Sequence, residues 1–283
     1  MLSQMTPVFR HITVPVDGST SSQRGVEFAI ELVRDGGRLS FCSVVDASPA
    51  LQPAAYGTAV DPLPLLEVLD RDAATFCRNA QDEAAAHGLE ADCRVLHGSC
   101  IAEIDQFAGR NGSDAIVIGT NGRTGLSRAI LGSVAEGLIR RADLPVVSVH
   151  EDDEMRTGPI AVAIDASPAA QAALEVAIGM ATARAMGLLL IHVFDGAPNA
   201  VPVNTVLEAA TKYARACGLA TELAVHEGLP VGELLRAIDA HECCMIVMGT
   251  HGRSAIGRLV LGSVAAAVVE RARIPVVTVR CPQ

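Results

Sequence analysis

A seventeen-residue segment, Gly119-Thr-Asn-Gly122-Arg-Thr-Gly-Leu-Ser-Arg-Ala-Ile-Leu-Gly132-Ser133-Val134-Ala135, occurs twice in the chain. It returns 130 residues later as Gly249-Thr-His-Gly252-Arg-Ser-Ala-Ile-Gly-Arg-Leu-Val-Leu-Gly262-Ser263-Val264-Ala265, with ten of the seventeen positions identical. Each copy follows a short apolar run, Ala115-Ile-Val-Ile118 or Met245-Ile-Val-Met248, and precedes a helix-like segment that runs into Leu-Pro-Val-Val or Ile-Pro-Val-Val. Self-similarity at a fixed period means a duplicated plan, so the 283 residues divide into two domains, each containing strand, glycine loop, helix and strand.

Glycines let a backbone approach a ligand closely, and a helix starting at Ser133 or Ser263 leaves unpaired N–H groups facing whatever occupies the loop. Together these make an anion site, most often for phosphate. The same pattern also suits an ordinary strand-to-helix turn in an α/β protein. What favours a ligand role is that both copies keep glycine at the same three offsets and serine after the third.

The rest of the chain supplies the frame. Arg10-His-Ile-Thr-Val-Pro-Val-Asp17 reads as a buried strand that stops at an Asp, followed by an amphipathic segment from about 21 to 34 with Val26, Ala29, Ile30 and Val33 on one face. Arg38–Val45 makes a second strand, and strand, helix, strand implies a parallel pair with a right-handed crossover. Residues 46–64 are rich in Pro and Ala and read as a long lid-like loop. A long helix to about His87, a strand at 91–96, a helix at 101–110, a strand ending at Gly119 and a strand at 144–149 complete the first half. Ile160-Ala-Val-Ala-Ile-Asp165 repeats the opening strand, and strands at 188–194, 221–226 and 245–248 with intervening helices repeat the order. The predicted domains are 1–150 and 158–283, joined by a charged link at 151–157. The opening Asp residues lie 148 apart against 130 for the glycine loops; the missing 18 fall mainly in the region matching the Pro-rich loop and the following helix, so the two sites are expected to be covered differently.

Alternating strands and helices make an open, doubly wound parallel sheet, a Rossmann-like α/β fold, which binds ligands at the carboxyl ends of strands where the strand order reverses. Composition agrees: half the residues are apolar, only 3% are aromatic and Trp is absent, as suits small aliphatic cores between helices and parallel strands. A net charge of −10, with Lys212 the single lysine, argues against nonspecific nucleic-acid or anionic-membrane surfaces. No apolar run approaches the ~20 residues needed to span a bilayer, and a soluble, cytoplasmic protein is expected. The eight cysteines, without a Cys-x-x-Cys pair, are read as reduced thiols. His97-x-x-Cys100 is the one local pair with ligand spacing, too few for a structural zinc, and no metal site is expected.

The spacing Gly-x2-Gly-x9-Gly-Ser resembles the nucleotide-binding signature of the universal stress protein family, and both copies match it at every defined position. The resemblance covers about residues 8–150 and 158–280, as in a tandem member. It implies two five-stranded parallel sheets of order 3-2-1-4-5 and ATP, or ADP or AMP, as ligand, with or without Mg²⁺. It implies that Asp17 and Val44, or Asp165 and Val193, flank adenine or ribose. Ile118, Gly119, Gly122, Gly132, Ser133 and Val134 would hold ribose and phosphates in the first domain, and Met248, Gly249, Gly252, Gly262, Ser263 and Val264 in the second. For each Asp a turn or N-cap role, and for the Val and Met positions plain core packing, remain open. The fifth strands, at 146–149 and 276–279, would pair within the chain, and homodimerisation is a further expectation.

Two departures separate the repeats. Asp165-Ala166-Ser167 replaces Asp-Gly-Ser, so a turn needing positive φ would be strained there. Ser133-x-x-Glu136 offers a capping box that Ser263 and Ala266 do not. No Gly-Lys-Ser/Thr run is present, so the P-loop mode of phosphoryl transfer is not expected; Arg123 or Arg253 are candidate phosphate partners or solvated loop charges, and His251 beside the second loop is a candidate base that the first copy, with Asn121 there, does not offer. The expectation is a nucleotide-binding regulatory protein with slow hydrolysis at most; the alternatives are a Mg²⁺-dependent ATPase and a nucleotide-free scaffold.

Overall fold

The computed structural model describes residues 9–33, 36–46, 63–122, 131–194, 203–252 and 261–281. The Pro-rich stretch at 47–62, and Arg123 and Arg253, lie outside the described residues.

The apolar runs become strands because Val and Ile suit a pleated, buried backbone, and amphipathic segments between them become helices. The first half runs β1 (His11–Pro15), α1 (Thr20–Val33), β2 (Arg38–Val45), α2 (Leu63–Ala86), β3 (Ala91–His97), α3 (Cys100–Asn111), β4 (Ala115–Gly119), α4 (Ser133–Arg141) and β5 (Val146–Val149). The second runs β6 (Ile160–Ala163), α5 (Pro168–Arg184), β7 (Leu188–Phe194), α6 (Val203–Ala216), β8 (Thr221–Glu227), α7 (Pro230–Ala240), β9 (Met245–Gly249), α8 (Ser263–Arg271) and β10 (Val276–Val279).

Each half is a five-stranded parallel sheet of the expected order, and the halves join edge to edge as β3-β2-β1-β4-β5-β10-β9-β6-β7-β8. The join is antiparallel, with Val277 opposite Val147 and Val276 opposite Ser148, and Thr278 Oγ1 donates to the Val146 carbonyl at 3.1 Å. Pairing through the fifth strands thus removes two of the four sheet edges. The alternation of a strand sends successive residues to opposite faces: Ala115 and Val117 pack with α1 and α5 residues such as Ile30 and Ile178, while Ile116 and Ile118 pack with Leu138 of α4 and Val268 of α8. Both helical layers therefore run across the two halves.

The reading of eight reduced thiols is corrected at two positions. Cys77 of α2 and Cys93 of β3 form a disulfide, with Cα atoms 5.6 Å apart. Packing of the long helix α2 on the edge strand brings them together, across a separation of 16 residues that carries no motif. Among the described residues no helix is long and apolar enough to cross a membrane.

Candidate functional site

The strand order reverses between β1 and β4, and between β6 and β9. At each reversal the chain leaves the opening strand through a tight turn closed by its Asp. Asp17 Oδ1 accepts from Ser19 N at 3.0 Å and Ser19 Oγ at 2.6 Å; Asp165 Oδ1 accepts from Ser167 N at 3.0 Å. The residue between has positive φ in both halves, +79° at Gly18 and +65° at Ala166, so the expected strain at Ala166 is present. The serine of each turn then caps the next helix: Ser19 Oγ accepts from Ser22 N at 3.2 Å, and Ser167 Oγ accepts from Ala170 N at 3.1 Å.

The glycine segment packs against this turn. Gly119 closes β4 where a Cβ would overlap the backbone of Ser21 in the first turn of α1. Beyond it, the Asn121 carbonyl accepts from Ser21 Oγ, as the His251 carbonyl accepts from Ser167 Oγ at 3.3 Å. A Cβ at Gly122 would lie 3.2 Å from Asp17 Oδ2, and one at Gly252 2.8 Å from Asp165 Oδ2; the strand-one Asp and the loop's second glycine are direct neighbours. Gly132 N donates to the Thr120 carbonyl at 2.8 Å, and Gly262 N to Thr250 at 2.9 Å. These bonds bring the far end of the loop back to its start and aim the N-termini of α4 and α8 at the crevice.

The capping box does not form. Gly132 is the N-cap of α4, Ser133 is its first helical residue, and among the described residues no side chain caps the end. Glu136 pairs with Arg140 at 2.6 Å instead. One residue of shift decides this, because a box needs the serine at the cap itself.

The first crevice, about 570 Å³, is lined by all eight residues singled out for it: Asp17, Val44, Ile118, Gly119, Gly122, Gly132, Ser133 and Val134. The second, about 560 Å³, is lined by Asp165, Val193, Met248, Gly249, Gly252, Gly262, Ser263 and Val264. Sequence reasoning did not single out the walls contributed by α3 and α7, Cys100 and Ile104 in one half and Pro230 and Leu234 in the other, nor Cys42 and Ile191. Thr120 and Thr250 also line the crevices and stand at identical offsets in the repeated segment, a signal the duplication does carry.

The crevices differ in chemistry. The first has two thiols at its wall; burial, with the neighbouring Cys100, pushes the Cys42 thiol far up. The second carries His251, whose Nδ1 meets Thr250 Oγ1 at 2.8 Å and whose imidazole is held below its ordinary value by burial and then by the Arg280 charge. At matching offsets, Asn121 Oδ1 and His251 Nε2 are buried without a hydrogen-bond partner among the described residues. Among the described residues no group of three His, Cys, Asp or Glu is placed to hold a metal; His97 Nε2 meets Asp70 Oδ1 at 2.7 Å, while Cys100 faces the first crevice.

The model of the universal stress protein family matches residues 9–150 and 157–280. A universal stress protein of Mycobacterium tuberculosis is 31% identical over 187 residues, 60% of this chain and 63% of the relative, so the chain spans less than two thirds of that relative's length. One of Mycolicibacterium smegmatis is 28% identical over 292 residues, covering 95% of this chain and 96% of the relative. The crystal structure of a universal stress protein from Archaeoglobus fulgidus superposes with a TM-score of 0.78 at 21% identity, over 97% of this chain and 99% of that one. At that identity the likeness is one of fold.

Proposed function

The chain belongs to the universal stress protein family, and from that premise we propose that it binds an adenine nucleotide in each crevice and serves the stress response as a regulatory protein, not as a turnover enzyme. The observation that carries the reading is the convergence of two sets of eight residues, far apart in sequence, on two crevices of nearly equal volume, each at a reversal of strand order.

The donor set fits such a ligand. Backbone N–H groups at the starts of α4 and α8, with glycine beside them, suit phosphate oxygens. Asp17 and Asp165 offer carboxylate oxygens to ribose hydroxyls, and Val44 with Ile118, or Val193 with Met248, offer apolar walls to a base. The buried, unpartnered atoms of Asn121 and His251 support a polar occupant, since such groups are costly when left unpaired. A bound nucleotide would supply the phosphate charge; the protein's part is to bind and orient it.

The test is to denature freshly purified protein and quantify the nucleotide released per chain by chromatography and mass. About two adenine nucleotides per chain is the expected result. None released, together with no calorimetric response to added Mg²⁺–ATP, overturns the reading and leaves a protein-interaction scaffold. One observation favours residual hydrolysis in the second crevice alone: His251 lines it, with Nε2 lacking a hydrogen-bond partner among the described residues, and burial disfavours its charged form. Any turnover should then disappear in His251→Asn.

A further inference from the structure

Among the side chains that bond from one half to the other, His150 and Arg280 each end on the helix that opens the opposite crevice. His150 follows β5 and is 1% exposed. Its Nδ1 meets Thr120 Oγ1 at 2.7 Å, within the first crevice's loop, and its Nε2 meets the Val269 carbonyl of α8 at 2.7 Å. A carbonyl only accepts, so Nε2 carries the proton, and in the neutral ring Nδ1 accepts from the Thr120 hydroxyl. Arg280 follows β10 in the same way. Its Nη1 donates to the Arg141 carbonyl of α4 at 2.6 Å and pairs with Asp143 at 3.3 Å, while its charge acts on His251 in the second crevice.

The acceptors are not incidental. Val269 and Arg141 lie in the last turns of α8 and α4, where helix carbonyls have no acceptor role left within the helix. The N-termini of these same helices face the crevices. We infer that His150 and Arg280 are reciprocal positioning residues: each caps the C-terminus of the other half's site helix and thereby couples the two crevices. The coupling needs no distant pathway, because a ligand that shifts Thr120 or α4 moves a group bonded directly to the other half. As a link between two ligand sites it rests on the nucleotide reading above.

The test uses the full chain. Hydrogen–deuterium exchange followed by mass spectrometry compares the wild type with Thr120→Val, which removes only the hydroxyl facing His150, and with Arg280→Met. The expected result is severalfold faster exchange in α8 for the first and in α4 for the second, with α5 unchanged as the control for folding. Unchanged exchange in α8 and α4 overturns the positioning roles. Titration with Mg²⁺–ATP then compares the wild type with the double variant His150→Phe, Arg280→Met. The wild type should show one occupied crevice changing the affinity of the other by about fivefold or more, and the double variant should bind at two independent sites. Independent binding in the wild type overturns the coupling. No binding at all overturns the nucleotide reading instead, and the exchange measurement still decides the positioning roles.

Discussion

Phe76 lies against Gly18 so closely that a Cβ at Gly18 would overlap its ring. The helix after the Pro-rich stretch thereby packs on the turn that carries Asp17. Gly18→Ala adds this collision to a left-handed φ of +79°, and the two costs together predict a loss of about 2–4 kcal/mol in urea denaturation. Ala166→Gly is the opposite experiment. Relief of the φ of +65° outweighs the extra freedom of an unfolded glycine, for a gain of about 0.5–1 kcal/mol.

The third glycine of each loop packs against the carbonyl at the loop's own start. A Cβ at Gly132 would stand 2.7 Å from the Thr120 carbonyl oxygen, and one at Gly262 3.2 Å from that of Thr250. Gly132→Ala should therefore lower nucleotide stoichiometry from about two to one per chain, whereas Gly262→Ala should weaken the second site without abolishing it. Equal effects of the two variants in calorimetry would contradict this ranking.

Acid should act on the second crevice through His251. Its folded-state value lies below the ordinary one because burial and Arg280 disfavour the charged ring. As pH falls through about 6.5 the unfolded chain takes up the proton first, so stability is lost toward the folded value and nothing is contributed above that range. His251→Asn, which restores the first copy's residue, should match the wild type's pH slope near neutrality and above and lose less stability below about pH 6. Parallel denaturation midpoints for both proteins over the acid range would refute the assignment.

Thiol labelling should map the cores. Burial pushes Cys243 up to about 12 and Cys244 up to about 11, so iodoacetamide near neutral pH should spare them and Cys42 while modifying the exposed Cys217 and Cys281. Cys77 and Cys93 should react only after reduction. Cys100, half-buried in the first crevice wall, should label slowly, and more slowly still with nucleotide present.

How much of this was legible follows from where each signal sits. Strands such as 115–119 and 245–249 are buried on both faces, so they read as unbroken apolar runs, and the order 3-2-1-4-5 and the pairing of fifth strands followed with the family resemblance. The glycine loop and the strand-terminal Asp residues were visible because duplication marks them twice. Cys100 and Ile104 were not, because an amphipathic helix shows its apolar face without saying that part of it overlooks a cavity. The Cys77–Cys93 bond depends on the packing of α2 on β3, and the failed capping box on a single residue of helix phase; neither is encoded locally. His150 and Arg280 gave no repeat signal, since different side chains perform the crossing in each half.

The antiparallel seam between β5 and β10 has a geometric consequence. Strands are parallel within each half but reversed between halves, so their carboxyl ends point out of opposite ends of the common sheet. One crevice opens upward and the other downward. A flat partner surface can therefore meet only one crevice at a time, and a partner that contacted both would have to reach around the edge of the sheet or consist of two molecules, one at each pole.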